Sequence, residues 1–331
     1  MRKKLKEKFI VIVYGPTGVG KSGFAEKLAS QLPAQLVNCD IGQFYTPFGI
    51  GTAKPLDWKT SPIKQHLFDI IDTPKNFNVC EYRKLLFDTV EKIWAENQLP
   101  VLVGGSGFYL KSLFYPPACP DVVQKNKTFE LPQGVRDIDL WDYLYKVDPK
   151  RAKQLDKTDI YRIKRALDVW VQTRQRPSDL VPVYNFPCNF LIVFLSRDRK
   201  QMYERIDKRL NQMMHEGWPQ EVEGLMGTEW ENFLKEKKLI GYDLLIDYFN
   251  ASKSCQDFEK VIRIISKKTK GYAKKQETFW RSFREKLQKS LDEIEQKDII
   301  VSSKIDTINL TLLDLDLYIK QLLDYLNPLF E

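Results

Sequence analysis

The stretch Gly15-Pro-Thr-Gly-Val-Gly-Lys21-Ser22 decides the fold. It matches the phosphate-binding pattern GxxxxGK[ST] in full, and it lies between a β-branched run at 9–14 and a helix-like run at 21–32. In that setting the loop turns backbone N–H groups around phosphate oxygens at a helix N-terminus. Lys21 is then expected to hold a terminal phosphate oxygen, and the Ser22 hydroxyl is expected to hold Mg²⁺. The predicted phosphate-binding residues are Gly15, Pro16, Thr17, Gly18, Val19, Gly20, Lys21 and Ser22.

Strand-like and helix-like runs continue to alternate after this loop. Residues 35–39, 100–103 and 190–195 are short and apolar and predict buried strands, and a helical pattern covers about 80–97. This alternation is typical of a parallel sheet covered by helices, so the sequence predicts an α/β fold of the P-loop NTPase type.

Helical patterns between about 140 and 173 interrupt the alternation and predict a helical insertion. From Arg197 onwards the chain is predicted to be mostly helical. We therefore expect three parts: the first part of the core at 1–114, the insertion at 115–185, and the completed core with a helical C-terminal region at 186–331.

Composition excludes several classes of protein. No apolar run approaches the roughly 20 residues of a membrane-spanning helix, and the basic N-terminus lacks the features of a secretory signal. We therefore expect a cytoplasmic protein. Its five cysteines are dispersed and accompanied by only two histidines, which argues against a zinc site and suits reduced thiols.

Charge is concentrated near the C-terminus. The net charge is +8, and the stretch 261–289 contains ten basic and two acidic residues. A concentrated basic face suits a polyanionic partner, although a solvated helix is the alternative.

Asp40 is a carboxylate at the end of a predicted strand, close behind the phosphate loop. ATPases usually carry a second strand that ends in a metal-binding Asp, but here the strand at 100–103 ends in two glycines. A carboxylate beside a phosphate site is suited to acid–base work, and capping of a turn or helix is the structural alternative.

Several further segments, taken with the loop, resemble the tRNA dimethylallyltransferase (tRNA isopentenyltransferase) family of bacterial type. The resemblance covers roughly residues 9–285, and the segment Ile50-Gly-Thr-Ala-Lys-Pro55 with the loop is its most diagnostic pair. The other matching segments begin at Asp40, Val101, Asp159, Ile240 and Thr269.

The resemblance implies a transferase that moves a dimethylallyl group from dimethylallyl diphosphate to N6 of the adenosine immediately 3′ of the tRNA anticodon. Asp40 matches the family's catalytic aspartate, the base for the amine, and the loop would hold the diphosphate with Mg²⁺ as cofactor. Ser106 stands where the family usually has Thr and could bond the bridging oxygen. Lys21 would stabilise the leaving group, and either Arg205 or Arg209 could reach it.

The same resemblance implies a tRNA anticodon stem-loop as partner, and we expect the enzyme to be a monomer. The matching positions for RNA contact are Asp40, Ile41, Gly42, Gln43, Tyr161, Arg162, Ile163, Lys164, Arg165, Gly241, Tyr242, Lys274 and Lys275. Tyr272, Phe279 and Trp280 lie among basic residues, so they either stack on bases or pack in the core.

Three departures from the family affect the RNA side. Ile41 replaces a serine, Asp243 and Leu244 replace a pair that normally includes a basic residue, and 115–135 lacks a readable version of the opening insertion helix.

Three other functions stay open: prenylation of free AMP, ADP or ATP, a P-loop kinase, and a non-catalytic RNA-binding protein. The insertion and the basic C-terminal stretch favour the tRNA enzyme over the first, because a free nucleotide needs neither.

Overall fold

A parallel sheet forms the centre of the larger part of the molecule. The computed structural model describes residues 4–117, 139–251, 254–295 and 303–331. Within those ranges the sheet contains six strands in the order β3-β2-β4-β1-β5-β6, and every pairing is parallel. The strands are β1 (Phe9–Tyr14), β2 (Ala34–Asn38), β3 (Gln65–His66), β4 (Leu99–Gly104), β5 (Asn189–Ser196) and β6 (Lys304–Asn309).

The central strand β1 is apolar throughout because both faces of the sheet are covered. Side chains alternate between the faces of a strand, so Phe9, Val11 and Val13 join one core cluster that also contains residues of α1 and α12. On the other face Tyr14 packs against Trp280 of α11. Every residue of β1 is buried, as expected for the centre of a parallel sheet.

Helices connect and cover the strands, and they are numbered along the chain. They are α1 (Lys21–Ala29), α2 (Val79–Ala95), α3 (Gly107–Phe114), α4 (Leu140–Val147), α5 (Pro149–Ala152), α6 (Ile160–Thr173), α7 (Arg199–His215), α8 (Trp218–Glu223), α9 (Glu229–Lys237), α10 (Tyr242–Asn250), α11 (Cys255–Glu295) and α12 (Leu315–Leu326). In the described ranges no helix is both long and apolar enough to cross a membrane.

The chain divides into two compact units. The first contains Met1–Leu110 and Pro187–Glu331, and the second contains Lys111–Phe186. The second unit has a small core of its own, formed by buried residues of α4, α5 and α6. The sequence predicts 115–185 for the insertion, so the observed unit begins four residues earlier and ends one residue later.

The predicted P-loop type of α/β fold is confirmed, with corrections at the edges of the sheet. The C-terminal region is not only helical, because β6 pairs with β5 along six residues. The prediction of reduced thiols is correct for Cys39 and Cys188 and wrong for Cys80, which is disulfide-bonded. Most of the stretch 115–135 lies outside the described residues.

Candidate active site

The phosphate loop follows β1 and ends in α1, at the carboxyl edge of the sheet. Gly20 has φ 111° and immediately precedes the helix, a left-handed conformation that glycine adopts without strain. Gly15 has no room for a side chain, since a Cβ there would lie 2.5 Å from the Leu195 carbonyl oxygen of β5. These two glycines let the loop turn tightly across the ends of two neighbouring strands.

Lys21 is folded back over the loop. Its ammonium donates hydrogen bonds of 3.0 Å to the carbonyl oxygens of Gly15 and Pro16. Burial lowers the pKa of Lys21 to about 8; Asp40 opposes that shift and Arg209 adds to it. The Lys21 ammonium is therefore mostly protonated at neutral pH, although it loses its proton at a lower pH than an ordinary lysine does.

Asp40 lies where β2 ends, beside the loop. Its Oδ1 accepts a hydrogen bond of 3.3 Å from the Gly42 amide, so it also caps the short turn of 3-10 helix at Ile41–Phe44. Burial raises the pKa of this carboxyl above its usual value, while Lys21, the Gly42 amide and Arg209 act in the other direction. Asp40 therefore caps a turn, as the structural alternative predicts, and burial also makes its carboxylate more basic. Its acid–base role stays a prediction.

The two arginines of α7 contact different parts of the loop. Arg209 donates a hydrogen bond of 2.5 Å to the Thr17 hydroxyl. Arg205 is exposed, and its Nε donates to the Gly18 carbonyl oxygen at 2.9 Å. Asp40 contributes to the electrostatic environment of Arg209. Of the two, Arg209 is therefore the one whose charge acts on Asp40.

Two cavities meet at these residues. The smaller, about 460 Å³, is lined mainly by the loop, with Lys21, Ser22, Arg205 and Arg209 among its polar groups. The larger, about 800 Å³, is lined by apolar side chains of α7, α8 and α11 and by lysines. Four residues line both cavities: Thr17, Asp40, Thr52 and Arg209. The structure therefore joins a polar cavity at the phosphate loop to a larger apolar and basic one.

Ser106 and Tyr272 lie on the α11 side of Asp40. Ser106 is buried, and its Oγ accepts a weak hydrogen bond of 3.5 Å from the Ile41 amide. It also hydrogen-bonds Tyr272, whose pKa is raised by burial and by Asp40. Tyr272 and Ile41 line the larger cavity. Replacement of the family's serine by Ile41 thus adds an apolar side chain to the cavity wall.

The predicted RNA-binding residues have different positions. Gly42, Lys275 and Ile41 line the larger cavity, and Lys274 is exposed one residue away on α11. Gln43 instead donates hydrogen bonds to the carbonyl oxygens of Thr52 and Ala53, so it supports the loop that follows.

Tyr242 supports the structure with its side chain. It is fully buried and donates a hydrogen bond of 2.6 Å to Glu221, whose carboxylate also accepts from the amides of Gly49, Ile50 and Gly51. Gly241 lies against the Trp218 ring, with no space for a Cβ. Burial leaves the Tyr242 side chain no surface for RNA.

In the second unit, the predicted RNA-binding segment forms the first turns of α6. Tyr161, Arg162 and Arg165 are exposed, Lys164 is partly exposed, and Ile163 is fully buried in the unit's core. Arg162 pairs with Asp159 at 2.8 Å. The Ile163 side chain therefore holds the helix in place, while the side chains of the other four reach the surface.

Packing accounts for two of the three aromatic residues near the basic stretch. Trp280 is buried and stacks on Phe194 of β5 with ring centroids 4.7 Å apart. Phe279 lies against Gly107, where a Cβ would be 2.6 Å from the ring. Of the three, Tyr272 is the one that lines the cavity beside Asp40.

Sequence reasoning missed several residues that shape this site. Gln276, Thr52 and Glu221 hold or line it but are absent from the predicted set. A signal existed for Gln276, because it occupies a position in the buried stripe of α11 formed by Ala273, Trp280, Phe283 and Leu287. A polar residue in an apolar stripe usually has buried hydrogen-bond partners. No comparable pattern marks Glu221, whose partners are backbone amides far away in sequence.

The loop at the carboxyl edge of a parallel sheet defines the class: this is an α/β protein of the P-loop type. A family model described as IPP transferase matches residues 43–283. The tRNA dimethylallyltransferase of Kosmotoga olearia is 31% identical over 307 residues, covering 91% of this chain and 97% of the relative. That of Thermotoga maritima is 32% identical over 279 residues, covering 83% and 90% respectively.

Solved structures agree on the fold. A tRNA delta(2)-isopentenylpyrophosphate transferase from Staphylococcus epidermidis superposes with a TM-score of 0.62 at 20% identity, covering 97% of this chain and 99% of that one. A eukaryotic dimethylallyltransferase acting on tRNA gives 0.66 at 22% identity, covering 82% and 70%. The chain belongs to the IPP transferase family, and the two relatives named above are tRNA dimethylallyltransferases. It is a transferase, as the sequence predicts.

Proposed function

We propose that this protein transfers a dimethylallyl group from dimethylallyl diphosphate to N6 of the adenosine immediately 3′ of the anticodon in tRNA, releasing diphosphate. One observation carries the proposal: a polar cavity around the phosphate loop and a larger apolar and basic cavity meet at Asp40 and Arg209. Two substrates of different chemistry can therefore approach one carboxylate from different directions.

The diphosphate of the donor fits the smaller cavity. The loop amides and the N-terminus of α1 supply partial positive charge, and Lys21, Arg205 and Arg209 supply full charges. Negative charge develops on the bridging oxygen as the carbon–oxygen bond breaks. Cations already held around that oxygen stabilise the transition state more than the ground state.

A magnesium ion fits the same cavity. Ser22 is exposed in the first turn of α1 and lines the cavity, so its hydroxyl can supply one oxygen. Mg²⁺ usually takes one or two protein oxygens and completes its shell with phosphate oxygens and water. When bound, the ion would neutralise charge on the diphosphate.

Asp40 acts on the acceptor. The N6 nitrogen attacks the allylic carbon, the electrons of the carbon–oxygen bond move to the diphosphate, and the N6 proton moves to the carboxylate of Asp40. Its raised pKa makes Asp40 a better base than an exposed aspartate. Ser106 lies beside Asp40 through its contacts with Ile41 and Tyr272, where its hydroxyl can serve the bridging oxygen.

The larger cavity and α11 fit the RNA. An adenine in a folded anticodon arm must leave its stack before a buried carboxylate can reach N6, and the cavity offers apolar walls and Tyr272 for the base. Lys237, Lys238, Lys267 and Lys275 lie around it for phosphates. We expect the protein to act as a monomer and to meet its tRNA in the cytoplasm.

Transfer of radiolabelled dimethylallyl groups from the diphosphate tests the proposal, with unmodified tRNA, AMP and ATP as parallel acceptors. We expect label in tRNA alone. Label in AMP or ATP alone would move the protein to the free-nucleotide class. No label anywhere, together with consumption of ATP, would favour a kinase.

A further inference from the structure

We propose that Gln276 is a positioning residue that holds the phosphate loop in its donor-binding shape from α11. The proposal rests on the donor role of the loop given above and adds a residue to it. Gln276 lies in the middle of α11 and is 5% exposed. It stands next to Lys275 in sequence, but it points away from solvent, into the junction of the loop and β4.

The side-chain amide of Gln276 joins two strand ends. Its Oε1 accepts a hydrogen bond of 2.9 Å from the backbone N–H of Thr17 in the phosphate loop. Its Nε2 donates a hydrogen bond of 2.8 Å to the carbonyl oxygen of Gly105, just after β4. Loop, strand end and helix are thereby joined through one buried group.

Glutamine suits this position for a chemical reason. A backbone N–H can only donate and a carbonyl can only accept, so the two partners fix which way the amide points. The site therefore needs a side chain that carries a donor and an acceptor on the same carbon atom, as the glutamine amide does. An apolar side chain of the same length leaves both partners unpaired in a buried place, which is costly.

The close packing around Gly105 shows that the Gln276 amide lies beside the phosphate-binding groups. A Cβ at Gly105 would collide with Nε2 of Gln276, and it would lie 3.2 Å from the Gly15 carbonyl oxygen and 3.4 Å from the Lys21 ammonium. The amide, the first loop residue and the loop lysine thus lie around one small space. A shift of Gln276 is transmitted directly to the groups that are proposed to hold the diphosphate.

Thr17 is fixed from two sides. Gln276 binds its backbone N–H, and Arg209 binds its hydroxyl. Thr17 is also one of the four residues that line both cavities. Among the residues that the structure describes, loss of Gln276 leaves the Thr17 hydrogen bond to Arg209 as the remaining side-chain contact of this kind, so the loop samples other shapes and the donor binds more weakly.

Titration of inorganic diphosphate with Mg²⁺ into the full-length protein, followed by calorimetry, tests the proposal without turnover. Gln276→Met is nearly isosteric and removes both hydrogen bonds, and we expect about tenfold weaker binding. The matched control is Gln288→Met, since Gln288 is exposed on the same helix and bonds only Asp292 among the described residues. That variant is expected to bind diphosphate as the unaltered protein does. In steady state, Gln276→Met should raise KM for the donor more than KM for tRNA.

A double-mutant cycle separates positioning from general destabilisation. Gly105→Ala pushes the Gln276 amide away, so it should weaken diphosphate binding about as much as Gln276→Ala. In the double variant the collision with Nε2 is gone, although the added methyl group still lies 3.2 Å from the Gly15 carbonyl oxygen. The combined loss should therefore be clearly smaller than the sum of the two single losses, because both act mainly through the same hydrogen bonds.

Each outcome bears on a different statement. Equal affinity of the unaltered and Gln276→Met proteins would overturn the positioning role alone, and so would additive losses in the cycle. Failure of the unaltered protein to bind diphosphate would overturn the proposed function, and the role of Gln276 with it. Thermal melts of each variant show whether it is folded, and Gly105→Ala provides a second variant should Gln276→Met not fold.

Discussion

At the scale of single residues, Asp40 has a double task. It caps the turn that follows β2 through the Gly42 amide, and it is the carboxylate shared by both cavities. Asp40→Asn keeps an oxygen for the cap but cannot accept a proton. We expect kcat to fall about 10³-fold, within the range for loss of a general base, while tRNA affinity stays within about threefold. Steady-state transfer of label and a filter-binding titration measure the two quantities, and normal turnover would remove Asp40 from the mechanism.

Lys21 gives the reaction an alkaline limit. Its pKa in the free enzyme is about 8, so the ammonium that attracts the diphosphate is present below this pH and is lost above it. We expect kcat/KM for the donor, which reports the free enzyme, to fall as pH rises through about 8. Bound diphosphate restores the charge of Lys21, so the alkaline fall of kcat should begin at higher pH. Coincident alkaline limbs for the two parameters would contradict this assignment.

At the scale of elements, the segment Gly49–Gly51 is built into the α8–α10 region by close contact. Glu221 accepts hydrogen bonds from its three amides, and a Cβ on Gly51 would collide with Trp218 and lie 2.5 Å from Cζ of Tyr242. Gly51→Ala is therefore expected to lower the free energy of unfolding by about 3 kcal/mol, as overpacking of a rigid core does.

The matched control for that prediction is Gly271→Ala in α11. Gly271 has no atom within 4 Å of an added Cβ, and it lies inside a helix. Alanine there should raise the free energy of unfolding by about 0.5–1 kcal/mol, because glycine loses more backbone entropy in a helix. Urea unfolding of both variants measures the difference, and similar midpoints for the two would contradict the packing argument.

Elements with a strong local signal could be predicted from the sequence. The strand β1, the loop and α1 follow from an apolar run and a glycine motif, and Asp40 follows from its place after β2. The strand β6 could not be predicted: Lys304–Asn309 contains four polar residues and becomes a strand through pairing with β5. Gln276 and Glu221 bind backbone groups more than 160 residues away. The buried stripe of α11 marks Gln276 as a polar residue with buried partners, but no local pattern identifies those partners.

At the scale of the whole molecule, the positions of the basic residues matter more than the net charge. The excess of +8 is modest for the chain, but lysines of α9 and α11 and the segment between α9 and α10 surround the larger cavity. Some basic residues have structural partners instead: Lys268 pairs with Asp243, and Lys270 pairs with Asp207. Asp243, one of the departures from the family, thus forms an ion pair with Lys268, which lines the cavity. RNA affinity should depend on the cations without such partners.

The dependence of tRNA affinity on salt tests this arrangement. Each lysine that neutralises a phosphate contributes about 0.7–0.9 to the slope of log K against log salt. Lys274→Ala and Lys275→Ala are expected to lower the slope by about that amount each. The same decrease is expected for Arg165→Ala in the second unit. The control is Lys8→Ala, which removes one charge from the N-terminal side of β1, at the edge of the sheet opposite the loop, where Lys8 pairs with Glu91. Its slope should match that of the unaltered protein. If Lys8→Ala lowers the slope as much as the α11 variants do, net charge rather than the position of these lysines governs binding.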